Sequence, residues 1–171
     1  MTLPASEKNF LERLADRIPG LAGYRAKETR RDTDKRLREH LARRLDRGRE
    51  LLNTVRRAIT KAGDLDPLST VGAVDKRLQR AADSLRHASY GYSGLFDQVK
   101  MREEELDRIY RFDLELLDEV ESVEGALRGL GDGSDPRQLE ELGALTDRLL
   151  GRIADRREIF ETPGGEAGIG K

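Results

Sequence analysis

Residues 70–89 read TVGAVDKRLQRAADSLRHAS, and here Val71, Val74, Leu78, Ala81, Leu85 and Ala88 step by three and four throughout. At ~100° per residue that spacing gathers the six side chains on one face of a helix. It is also a heptad seam, the pattern of a helix that packs lengthwise on other helices. A strand would need alternation of apolar and polar residues, and no segment of the chain alternates over a useful length. Ser69 or Thr70 is the expected N-cap, because a hydroxyl there can accept from the first free backbone N–H groups.

The same reading extends outward in both directions. Upstream, residues 25–61 carry Leu37, Leu41, Leu45, Leu52, Val55 and Ile59 at spacings of three, four or seven. Gly48 falls on that face, where it costs roughly 1 kcal/mol of helix propensity relative to Ala and would permit close approach of a neighbouring helix. Gly63 and the run Asp64-Leu65-Asp66-Pro67 end the segment. A short helix over residues 4–17 precedes it, closed by Pro19-Gly20 and Gly23. Downstream, residues 95–130 place Val99, Leu106, Ile109, Tyr110, Leu116, Leu117, Val120, Val123 and Leu127 on one face. A glycine-rich loop follows. Asp135 is then the expected N-cap and Pro136 the first residue of a last helix reaching Phe160, with Leu139, Leu142, Leu149, Ile153 and Phe160 turned inward.

Helices with one apolar stripe each bury it only against one another. The expected fold is therefore all-α, an antiparallel bundle of four main helices plus a short N-terminal one. Residues 1–160 make a single domain in this reading, and 161–171 a disordered glycine-rich tail.

Composition narrows the function classes. Lys+Arg 32 against Asp+Glu 33 leaves a net charge of −1, which argues against a globally basic nucleic-acid binder. With no cysteine there are no disulfides and no thiolate chemistry. No apolar run approaches the ~20 residues that span a bilayer, and the start MTLPASEKNF lacks the pattern of a signal peptide. The two histidines, His40 and His87, form no Glu-x-x-His pair, so neither a metal nor another cofactor is expected. Residues 165–171, GEAGIGK, have the glycine and lysine spacing of a phosphate loop, but no strand precedes them and no Ser or Thr follows the lysine. No nucleophile–base–acid arrangement is evident. The chain reads as a non-enzyme.

Charge is unevenly spread. Residues 24–62 hold 14 Lys/Arg and 6 Asp/Glu, whereas 95–127 hold 4 and 11. Opposite the leucine face of the first long helix lies a ridge of Glu28, Asp32, Glu39, Asp46 and Glu50. Arg31, Lys35, Arg38, Arg49 and Arg56 line one flank, and Arg25, Arg36, Arg43, Arg47 and Lys61 the other. The flanks form a candidate basic surface for lipid or a protein partner. The alternative is a solvated, salt-bridged face and mutual attraction of the two long helices.

Asp113 stands in the apolar face of the second long helix. A lone carboxylate there costs too much to remain unpaired, so it is expected to meet an arginine from another helix, with Arg30 and Arg44 the candidates. A general acid/base role is the alternative. Residues 87–96, HASYGYSGLF, concentrate three of the eight aromatics beside two glycines. Tyr90, Gly91, Tyr92, Gly94 and Phe96 form a candidate turn, hinge, small-ligand pocket or docking knob.

Two stretches carry a resemblance. Ile18-Pro19-Gly20, Gly23-Tyr24, Lys27-Glu28 and Arg30-Arg31-Asp32, together with Tyr90-Gly-Tyr-Ser-Gly-Leu-Phe-Asp97 and Glu104-Glu105-Leu106-Asp107, resemble an uncharacterised prokaryotic all-helical family. The resemblance implies association with phage-shock-like or band-7-like membrane proteins and an accessory role in envelope maintenance. The expected function is a non-catalytic interaction or scaffold protein with a protein partner, cytoplasmic or peripheral to the inner membrane. A peripheral anionic-lipid binder is the first alternative and an enzyme with a pocket near residues 90–96 the second. Nucleic acid is not an expected partner, and self-association through a leftover apolar stripe stays open.

Overall fold

The computed structural model describes residues 12–13, 16–18, 30–88, 103–131 and 135–161. Four helices account for nearly all of them: α1 (Arg30–Ala62), α2 (Leu68–His87), α3 (Glu103–Gly129) and α4 (Pro136–Glu161). There is no strand among the described residues, and the fold is all-α. No described helix is long and apolar enough to cross a membrane. Of the short N-terminal helix, residues 12, 13, 16 and 17 are described and helical. The segment 90–96 with Tyr90, Gly91, Tyr92, Gly94 and Phe96, and the tail from 162, lie outside the described residues.

Helix ends follow local chemistry. Asp135 Oδ1 accepts from the Arg137 N–H at 2.9 Å, and Pro136 opens α4, as expected. At α2 the expectation fails: neither Ser69 nor Thr70 caps it. The helix starts at Leu68 behind Pro67, whose φ of −70° is already helical, and no side chain caps it. Proline fixes a helical φ at the N-cap, and the Pro67 carbonyl accepts from the Val71 N–H at 3.0 Å. Gly63 and Gly131 close α1 and α3 at φ 79° and 57°, a left-handed conformation that glycine adopts without penalty.

The stripes meet in one core. Leu37, Leu41, Leu45, Leu52, Val55 and Ile59 of α1 join Val71, Val74, Leu78, Ala81 and Leu85 of α2; all are buried. Leu116, Leu117, Val120, Val123 and Leu127 of α3 and Leu139, Leu142, Leu149 and Ile153 of α4 complete it, with Ile18 buried against the same cluster. Each buried leucine contributes roughly 1.5–3 kcal/mol of burial free energy.

Side-chain bridges fix the direction of each helix. Arg49 meets Asp75 and Arg86 meets Asp46, so α1 and α2 are antiparallel. Arg152 meets Glu115 and Glu119 while Arg156 meets Asp113, so α3 and α4 are antiparallel too. The hairpins lie side by side, with α1 against α3 and α2 against α4. Across that seam α1 runs parallel to α3, since Asp34 shares the level of Asp113 and Arg44 that of Glu121 and Glu124. Helices α1 and α4 face each other diagonally. The start of α1, the end of α2, the start of α3 and the end of α4 share one end of the bundle.

Candidate functional site

At that end the stripes change character. Asp34 precedes Leu37 and Leu41 on α1 by one and two turns; Asp113 precedes Leu116 and Leu117 on α3; Arg156 follows Leu149 and Ile153 on α4. All three therefore occupy apolar-face positions, and with Arg38 all are buried. Arg156 donates through Nε to Asp113 Oδ1 at 2.7 Å and through Nη2 to Asp113 Oδ2 at 3.1 Å. The same Nη2 reaches across the bundle to Asp34 Oδ1 at 2.6 Å. Arg38 donates through Nε to Asp34 Oδ2 at 2.9 Å and through Nη1 to the Leu85 carbonyl at 2.8 Å, near the end of α2. One network touches all four helices.

The expected partners of Asp113 are corrected by this geometry. Arg44 turns instead to Glu124, with 2.8 and 2.6 Å contacts, and to Glu121 at 3.3 Å. It sits further along α1, level with the middle of α3, and cannot also reach the end. The side chain of Arg30 lies outside the described residues. Arg156, which supplies the bond, was not singled out from sequence, nor was Asp34. Their signal was the one that marked Asp113: a charge continuing an apolar stripe at a spacing of three or four.

Burial pushes the Asp113 carboxyl above the usual carboxylate range, against the opposing pull of Arg156, while Asp34 adds to the rise. Both Asp113 oxygens are occupied by one guanidinium, which suits a structural pair better than a proton-transfer group.

The candidate basic surface is also redrawn. Arg38 is no surface residue at 4% exposure, because the end of α2 packs over that flank. Arg49 is taken by Asp75 at 2.8 Å, and Arg56 by Asn53 at 2.9 Å and Asp75 at 3.8 Å. Lys35 is exposed and lies 3.9 Å from Glu39. The Arg31 side chain lies outside the described residues. The Arg44–Glu124 bond holds the Glu124 carboxyl below its ordinary range and raises Arg44. The charge asymmetry between the two long helices is thus satisfied partly within the bundle. Between α3 and α4, Arg152 stacks 4.3 Å from the Phe112 ring centroid and bridges Glu115 and Glu119. No group of three or more metal-ligating side chains occurs among the described residues.

No family model, curated protein or solved structure matches this chain.

His40 on α1 has its proton affinity lowered by its surroundings. It is half-buried, and its Nε2 has no hydrogen-bond partner among the described residues. Burial lowers its pKa from 6.5, and Arg44, Arg43 and Arg47 lower it further. The unfolded chain then binds a proton at a pH where the folded chain does not. Stability from this site is complete above pH 6.5 and is lost as pH falls through that value toward the lower folded one. His40→Gln is expected to lose less stability than the parent between pH 7.5 and pH 5.5, measured as the urea midpoint at each pH. Equal losses in the two proteins would exclude His40 as the source.

Proposed function

We propose that this chain is a non-catalytic helical interaction protein that docks on a protein partner. The observation carrying this reading is the fate of the arginines on α1. Arg38 is engaged by Asp34, and Arg49 and Arg56 by Asp75, so three of the five cations of the flank formed by Arg31, Lys35, Arg38, Arg49 and Arg56 are paired within the bundle, and Arg44 is held by Glu124. The paired state of Asp113 supports a structural over an acid/base role. The two motif stretches at residues 18–32 and 90–107 support a partner in a membrane-associated envelope-maintenance system, of the phage-shock-like or band-7-like kind, reached from the cytoplasmic side.

Affinity purification from the native cell with mass spectrometry, paired with flotation on anionic vesicles, tests it. The expected result is reproducible recovery of one specific protein with no flotation at 150 mM salt. Flotation that disappears at high salt, with no protein recovered, would replace this reading with the lipid-binding one through exposed Arg43, Arg47, Arg57 and Lys61.

A further inference from the structure

The core described above is built from leucine, valine, isoleucine and alanine. Such stripes repeat along each helix, so they fit one another at more than one register. They also fit if one hairpin is turned end for end while keeping its apolar face toward the other. Apart from the close approach at Gly48, shape discriminates weakly among these arrangements, because buried aliphatic layers of similar volume are interchangeable.

The ion network is not interchangeable. The α1–α2 hairpin brings Asp34 with Arg38, and the α3–α4 hairpin brings Asp113 with Arg156. Among the described residues, each half pairs one carboxylate with one guanidinium. Among the described residues the buried bond between them is Arg156 Nη2 to Asp34 Oδ1, which crosses between diagonal helices; the less buried pairs Arg44–Glu124 and Arg77–Asp147 cross the same seam further along and favour the same alignment. A slip by one heptad, or an end-for-end turn of one hairpin, separates the halves and buries each against aliphatic side chains. Buried ion pairs contribute little net stability relative to well-packed apolar groups, and their best-attested use is to fix register. We infer that the Asp34–Arg38–Asp113–Arg156 network is an orientation lock: it selects which ends of the two hairpins meet and in what register, while the leucine layers supply the stability.

The test uses the full chain, which has no cysteine of its own. Lys61→Cys and Arg137→Cys, both exposed and at the end of the bundle opposite the network, carry spin labels for a distance measurement. The parent is expected to give one short distance. The variant Asp34→Leu, Arg38→Met, Asp113→Leu, Arg156→Met is expected to keep a melting temperature equal to or above the parent's. It should add a second population, longer by on the order of 30 Å for an end-for-end turn or about 10 Å for a heptad slip, at 1.5 Å rise per residue. A single population matching the parent's overturns the inference. So does a variant that melts lower or does not fold, since that makes the network a source of stability. Asp34→Asn, which keeps the side chain's shape and removes the charge that draws Arg156 across, gives an independent reading. A second population is expected there too, and its absence counts against the lock.

Discussion

Arg156→Met is expected to remove roughly 3–5 kcal/mol of folding stability, the usual cost of breaking a buried ion pair from one side. The loss exceeds what the bonds contribute, because the substitution strands what they leave behind. Asp113 loses the donor to both of its oxygens, and Asp34 keeps Arg38 but loses its cross-bundle partner. The two carboxylates stay at 4% and 9% exposure, where an unpaired charge is poorly tolerated. The effect should depend on pH in a defined direction. Burial already pushes the Asp113 carboxyl up, and removing Arg156 removes the group that opposed the rise. Above the raised folded pKa the ionised carboxylate destabilises the variant in full; as pH falls through it, protonation relieves the strain. The deficit relative to the parent should therefore be larger at pH 8 than at pH 5, read from urea unfolding at both. A loss below about 1 kcal/mol at pH 8 would show that these charges are hydrated in solution and not enclosed.

The bundle was legible because helix formation and burial leave a local record. A stripe such as Val71–Val74–Leu78–Ala81–Leu85 specifies both the period and the buried face, and all five residues are buried. The same logic exposed Asp113 as a charge in an apolar position. Its partner was not legible, since Arg156 lies 43 residues away and meets Asp113 only after two hairpins have docked. Arg38 was misread as surface for a related reason. Its position on the helix wheel borders the leucine face, and whether such a border is wet depends on which neighbour covers it; here the end of α2 does, through the Leu85 carbonyl. Side-by-side packing of the hairpins with α1 parallel to α3 is likewise a property of docking, which the apolar spacing within each helix does not encode.

Gly48 gives the sharpest test of how tightly α1 is held. A Cβ at this position would stand 2.7 Å from Leu127 Cδ1 of α3 and 4.0 Å from Leu78 Cδ1 of α2. The glycine marks the place where α1 fits between two neighbours, which is why its helix-propensity cost is tolerated. Gly48→Ala is expected to be close to neutral: the clash involves the tip of one leucine, and alanine recovers roughly 1 kcal/mol of propensity. Gly48→Leu has no such escape. Leu127 and Leu78 are 3% and 0% exposed, so an added side chain must displace packed atoms or push α3 away from α1. The expected cost is roughly 1–3 kcal/mol from overpacking, read as a lower urea midpoint with an unchanged slope. The cause is separable by a second change. Leu127→Ala alone opens a cavity and is expected to cost about 2–5 kcal/mol. Combined with Gly48→Leu, the new side chain occupies the space that Leu127 vacates, so the double variant should lose clearly less than the sum of the two single losses. Simple additivity would mean that the two positions do not meet in solution, and that α1 and α3 are further apart at this level than their close approach at Gly48 requires.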